Sequence, residues 1–388
     1  MALEVSEERS PALVQCPNCG HQVPGGEYCG HCGISLTAGD ARDRRHSYAA
    51  SPSESVYHLG LATTLFPHLA KGRGAMFSWS VVGGVVVLVA LVAFNLFAAA
   101  AAVAVLLLPV LYLMYLYEAR VYADRPWLVL ALAFVLPLVL GVAVSALLGT
   151  LISGLAFQGE RSLLLVLELV VAPLVTLVAT VAGPLLLLTR PTFHEVLDAV
   201  SFGAVSGLAF SLGATAVAVW PLLTGSVVSE GVPAQWVLLL LRHGILLPLL
   251  NMATASLLAA AAWLFGRRRR IRLDDRWLWS PPAIVAVAVV ARIAAAAIGL
   301  VPRLLVDVLG ILVLVSLLFL HLRLVVHNAL LEQGLELEIG EPSPCPECHR
   351  VVPVMLFCPA CGVARAATPK PAGAHRRPAP ASGPAGSG

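Results

Sequence analysis

Eight cysteines stand in two sets of identical spacing: Cys16, Cys19, Cys29 and Cys32 near one end of the chain, and Cys345, Cys348, Cys358 and Cys361 near the other. Each set reads C-x2-C-x9-C-x2-C. A Cys-x-x-Cys turn presents two sulfurs to one tetrahedral ion, and two such turns joined by a short hairpin close a four-thiolate site with no open position for catalysis. The spacing therefore predicts two structural zinc ribbons, over 16–33 and 343–363, each with too small a core to fold without its metal. Gly20, Gly33 and Gly362 follow the second cysteine of a turn and suit its tight backbone. His21, His31 and His349 lie beside the cysteines, but four thiolates already complete each site, so these are read as surface residues. A disulfide framework is disfavoured by the reducing side on which both sets are expected to lie, and a redox pair by four motifs with none left over. Neither ribbon is strongly basic, which argues against nucleic acid as a partner and for a protein.

The elements that must position these clusters are of another kind. Of the 388 residues, 59% are hydrophobic and only 12% charged, and the mean hydropathy is +0.86, far from the composition of a soluble domain. Apolar runs of about 20 residues, the length that crosses a ~30 Å hydrocarbon layer, recur at roughly 77–97, 98–117, 127–148, 163–188, 199–224, 236–265, 283–301 and 304–326. The fold class expected is an all-α, polytopic transmembrane helical bundle of about eight spans in the lipid bilayer, carrying the two ribbon modules. Only an Ala-rich stretch near Asn95 and Phe97, with no turn signal, separates the first two runs. Around this body, residues 1–15 read as a disordered N-terminus and 34–75 as a linker. The membrane domain is 76–326, with a juxtamembrane helix over 327–342 and a disordered Pro/Ala/Gly-rich tail over 364–388.

Basic residues orient the bundle. With the N-terminus inside, as the acidic Glu4, Glu7 and Glu8 and the lack of a secretory signal imply, the cytoplasmic segments collect twelve Lys and Arg and the external loops only Arg161 and Arg303. An even number of spans returns the C-terminus to the cytoplasm, so both cysteine sets fall on the same, reducing side. The strong preference for Arg over Lys, 23 to 2, points to a GC-rich bacterial genome and hence to the bacterial inner membrane.

Ionisable groups at bilayer depth are costly and are functional candidates by default. They are Glu168, Asp198, Arg242, His243, Arg292, Asp307 and His321. The bland alternatives are snorkelling of Arg242, Asp307, His321 and Arg323 at span ends, and an ion pair of Glu168 with Arg242 or Arg292. Six prolines (Pro109, Pro137, Pro173, Pro184, Pro221, Pro248) interrupt the spans and favour kinked helices around a cleft.

The succession EARVYADRPW, VVAPLVTLVATVAGPLLLLTRPTFHEVLDAVSFGAVSGLAFSLGATAV and LLRHGILLPLLNMATASLLA resembles the PrsW-type intramembrane proteases, relatives of the CAAX protease and bacteriocin-processing superfamily. The likeness covers about 110–260 and includes Ala172-Pro173, the Phe193 to Asp198 entry, Gly207 to Phe210 and the run Arg242 to Pro248. Members of that family carry a Glu-Glu-x-x-Lys motif, a Glu-Asn pair and a His. Here those positions fall on Thr176, Leu177 and Thr180, on Ala214 and Thr215, and on Asn251. None of these side chains serves as a base near neutral pH. The resemblance implies a pseudoprotease, a cleft that binds a single-span membrane partner without cutting it while the ribbons engage a cytoplasmic protein. Glu168, Asp198, Arg242 and Asn251 are its candidate cleft residues. The alternative is an active intramembrane protease whose carboxylate pair is rebuilt from Glu168, about two helical turns before Thr176, and Asp198. A transporter is disfavoured because no internal repeat is apparent.

Overall fold

Prolines set the local form of three spans. A proline cannot donate to the helical ladder, and its ring collides with the carbonyl four residues earlier. One π turn immediately upstream relieves both. Such turns occupy Leu130–Val135, Leu167–Val171 and Arg242–Leu246, just ahead of Pro137, Pro173 and Pro248. The structure is a computed structural model and describes residues 12–37, 47–66, 75–118, 126–190, 195–223, 233–267, 280–334 and 339–368.

Within these residues the helices are α1 (Leu61–Leu65), α2 (Ala75–Ala93) and α3 (Phe97–Glu118). Next come α4 (Pro126–Val129, a π turn, then Leu136–Gln158) and α5 (Arg161–Val166, a π turn, then Ala172–Leu188). The series ends with α6 (Val196–Leu223), α7 (Pro233–Leu241, a π turn, then Leu247–Arg267), α8 (Pro281–Gly299) and α9 (Leu304–Gly334). Helices α3 to α9 contain seven stretches long and apolar enough to cross a membrane, and α2 adds a shorter apolar one, Trp79–Ala93. The chain is a multi-pass membrane protein.

The break between α2 and α3, for which no turn signal was expected, is made by Asn95. It takes φ +59°, a left-handed conformation that asparagine tolerates better than most residues. The Asn95 N–H donates to Val92 O and the Leu96 N–H to Leu91 O, the pairing that ends many helices at a left-handed residue.

Helices α6 and α7 form the centre: 72% of each apolar window lies inside the bundle, against 39% or less in the other spans. Small residues allow this. Gly203 lies against the Ala255–Ser256 backbone and Gly207 against the Asn251–Met252 backbone, while Gly213 meets α4 at Leu138. Without a hydrophobic force between helices in lipid, such close backbone contact supplies the packing.

Among the described residues, six short strands make three antiparallel hairpins. β1 (Leu13–Gln15) pairs with β2 (Gln22–Pro24), β3 (Ser47–Tyr48) with β4 (Ser51–Ser55), and β5 (Gly340–Pro344) with β6 (Val351–Val354). Four sequence expectations change here. Residues 13–15, placed in a disordered N-terminus, supply the first ribbon's opening strand. The expected linker contains β3, β4 and α1, because Arg323 gives its polar groups a partner. The juxtamembrane helix is the end of α9, which runs on to Gly334 before β5 begins at Gly340. The expected tail starts with a helical turn, Arg365–Ala367, whose Arg365 guanidinium donates to Ser343 Oγ at 2.9 Å. The rest of the predicted disordered segments, 1–11 and 369–388, lies outside the described residues, as do Lys71, Arg73, Arg120, Arg125, Arg268 to Arg270, Arg272 and Arg276.

Candidate metal centres and intramembrane polar cluster

The same backbone turn builds all four Cys-x-x-Cys knuckles. In each, the residue after the second cysteine donates to the carbonyl of the first, as in Gly20 N–H to Cys16 O at 2.9 Å and His349 N–H to Cys345 O at 2.8 Å. That residue needs a positive φ, and Gly20, Gly33 and Gly362 provide it at +71° to +72°. In the third knuckle, Cys345 to Cys348, His349 takes φ +60°, a position at which no glycine was available.

The turns bring each set of four sulfurs together. Their ligand atoms all lie within 4.8 Å of one another, and no disulfide links them. Sγ···Sγ separations are 3.7 Å for Cys16 and Cys32, 3.8 Å for Cys19 and Cys29, 3.9 Å for Cys345 and Cys361, and 3.8 Å for Cys348 and Cys358. A tetrahedron with metal–sulfur bonds of ~2.3 Å has edges of about 3.8 Å. Both sites can therefore hold a metal ion with all four thiolates as ligands. Crowding of the sulfurs is visible in their acidity: the hydrogen bond from Cys361 pulls the Cys358 thiol down to about 5, whereas burial pushes Cys19 up to about 11. A cation replaces the protons the other thiols must otherwise keep. His21 and His31 stack at 4.0 Å beside Cys19.

The two ribbons form one unit. Adding 329 to a residue number in the first ribbon gives its counterpart in the second, and the contacts between them obey that relation. Tyr28 N–H donates to Pro359 O at 3.0 Å, and the counterpart Phe357 N–H donates to Gly30 O at 3.0 Å. The Phe357 ring covers Gly33 and the Tyr28 ring covers Gly362, while Met355 meets Gly30 as Pro359 meets Gly26. This is a local two-fold axis within a single chain. Sequence reading found the knuckles but not the pairing, although the aromatic residue before the third cysteine of each set was the available sign.

The unit is also fastened to the membrane body. Ala364 N–H donates to Ala49 O in the β3–β4 turn at 3.1 Å, and Ala49 N–H donates to His327 Nδ1 of α9 at 3.1 Å. Below them Arg323 is 1% exposed and does not snorkel. Its guanidinium stacks on Tyr48 at 3.8 Å, pairs with Glu54 at 2.8 Å and donates to Thr63 at 2.8 Å. A cavity of about 130 Å³ remains where both ribbons, β3 and α9 meet, lined by Asn18, Tyr48, His327 and Phe357 among others.

Inside the bundle the predicted polar residues divide into separate places. Asn251 donates from Nδ2 to Ser211 Oγ and accepts from Arg292 Nη1, which joins α6, α7 and α8 near mid-span. Thr176, Leu177 and Thr180 of α5 and Thr215 of α6 are buried, and Ala214 is half-buried. Arg242 pairs with Asp307 and contacts His243, not Glu168 as one alternative had it. Glu168 and Asp198 are far apart. Ser206 Oγ donates to Thr180 O, an antiparallel register that sets Asp198 level with Leu188. Twenty residues of helix, about 30 Å, then separate Asp198 from Glu168, so the two carboxylates do not share a site.

No family model, no curated protein and no solved structure matches this chain.

Proposed function

We propose that this chain is a non-catalytic, PrsW-like protein of the bacterial inner membrane. In this reading both termini are cytoplasmic and zinc fills both four-cysteine sites. The paired ribbons form one docking surface for a cytoplasmic protein, and the cleft among α5, α6, α7 and α8 receives a single-span membrane partner. The observation that carries it is the reciprocal pairing of the ribbons and their attachment to α9 through Ala49, Tyr48 and Arg323. A metal-stapled module fixed to a membrane body is built to hold a partner at a set distance from the bilayer. Thr176, Thr180, Ser211 and Asn251 are buried and neutral and provide no general base.

The test compares N-termini of membrane proteins by mass spectrometry in wild-type cells, a deletion strain, and the deletion complemented with Glu168→Ala or Asp198→Ala. Binding without cutting leaves every terminus unchanged. A cleavage product that disappears on deletion and is not restored by either variant makes the protein a protease and overturns the reading. In parallel, crosslinked partners should be lost when Cys16 and Cys345 are both replaced by serine.

A further inference from the structure

Arg292 lies near the middle of α8, with its guanidinium at the depth of Asn251 and Ser211, which lie near the middle of their own spans. Its described partner is neutral. Among the described residues the ion pairs are Arg242 with Asp307 and Arg323 with Glu54, and Arg292 Nε is enclosed without a hydrogen-bond acceptor. A cation in this position, with one amide oxygen to hold it, is an uncompensated charge in the most costly part of a membrane.

The missing anion does not come from a second copy. Copies that share a membrane and an orientation are related by rotation about the membrane normal, which leaves the depth of every group unchanged. Asp198 is at one end of its helix and Asp307 is occupied by Arg242. Glu168 lies seven residues beyond the level of Ser211 in the register of α5 against α6, about 10 Å away. A lipid phosphate or a fatty-acid carboxylate stays at the interface, about half a bilayer from this point. Access exists, however: Arg292 is only half-buried, and α8 is a peripheral helix with 22% of its apolar window inside the bundle.

We propose that Arg292, oriented by Asn251 and Ser211, is the docking point for a transmembrane helix of another protein that carries an aspartate or glutamate near the middle of its span. The assignment rests on the membrane-partner half of the function proposed above and names the chemistry of that partner. The carboxylate would accept from the edge of the guanidinium that Asn251 leaves free, a charge-assisted hydrogen bond of the kind arginine makes with carboxylates.

The test uses full-length protein in phosphatidylcholine vesicles with three synthetic Leu/Ala transmembrane helices that differ only in a central Glu, Gln or Lys, and reads association by resonance energy transfer. The Glu helix should associate between about threefold and thirtyfold more tightly than the Gln helix, and the Lys helix least. This comparison needs no altered protein. In variants, Arg292→Gln should abolish the preference and Arg292→Lys should keep part of it. Equal association of all three helices, or a preference that survives Arg292→Gln, overturns the Arg292 assignment and leaves a membrane-partner cleft standing. Association of none of them overturns both.

Discussion

The Phe357 ring closes over Gly33 so tightly that a methyl group on the glycine would sit 2.9 Å from the ring. Tyr28 lies on Gly362 in the same way, at 2.5 Å, whereas nothing comes within 4 Å of a methyl group on Gly20. All three glycines share the same positive φ, so the left-handed penalty of about 1–2 kcal/mol is common to their alanine variants. Gly33→Ala and Gly362→Ala should add about 1–3 kcal/mol from overpacking and separate the ribbons. Gly20→Ala should not. Thermal unfolding of the three variants checks the order.

Pairing makes the two metal sites interdependent. Cys16→Ser should halve the metal content per chain and also expose the amide of Phe357, which is bonded to Gly30 O across the interface. Removal of all metal by a chelator should expose the amides of both Tyr28 and Phe357, since ribbons of this size draw most of their folding energy from the ion. Hydrogen exchange at these two amides is the measurement. Protection of Phe357 that survives in Cys16→Ser would show that the ribbons fold independently.

Arg323 holds the β3–β4 hairpin to α9. Its loss in Arg323→Ala leaves half-buried Glu54 without its cation, holding only its hydrogen bond from Thr63, and should cost on the order of 3 kcal/mol, seen as fast exchange throughout β3 and β4. Partial burial pushes the Glu54 carboxyl up, but hydrogen bonds from Thr63 and Arg323 and the guanidinium charge outweigh it and hold the carboxyl below the usual range. A lowered folded-state value means that this stabilisation is fully present above the unfolded pKa of about 4.3 and is lost as pH falls through the folded one. Acidification below about pH 4.3 should therefore loosen the hairpin, and Glu54→Gln should flatten that acid limb.

Helix α6 approaches α7 through glycine, and α4 carries glycines that touch nothing. Gly203→Ala should destabilise the bundle by about 1–3 kcal/mol, because the new methyl group would lie 2.5 Å from the Ser256 Cα. Gly149→Ala and Gly154→Ala, with open space around both, should be neutral or mildly stabilising through helix propensity. Unfolding of the purified protein in detergent distinguishes the two classes.

The amino-acid order alone determined the number and place of the metal sites and the membrane-spanning body. Both depend on local rules, ligand spacing along a few residues and the length of an apolar run, that need no knowledge of distant neighbours. Prolines announced irregular spans for the same reason, although the π turns ahead of Pro137, Pro173 and Pro248 became visible only in the structure. What joins residues far apart in sequence was not legible. Arg323 read as a snorkelling cation because its partner Glu54 is 269 residues away, and Glu168 and Asp198 read as a pair because spacing carries no depth. Tertiary packing decided those relationships: it assigned each buried charge a neighbour, brought the two ribbons face to face, and left Arg292 at mid-membrane with an amide but no acid.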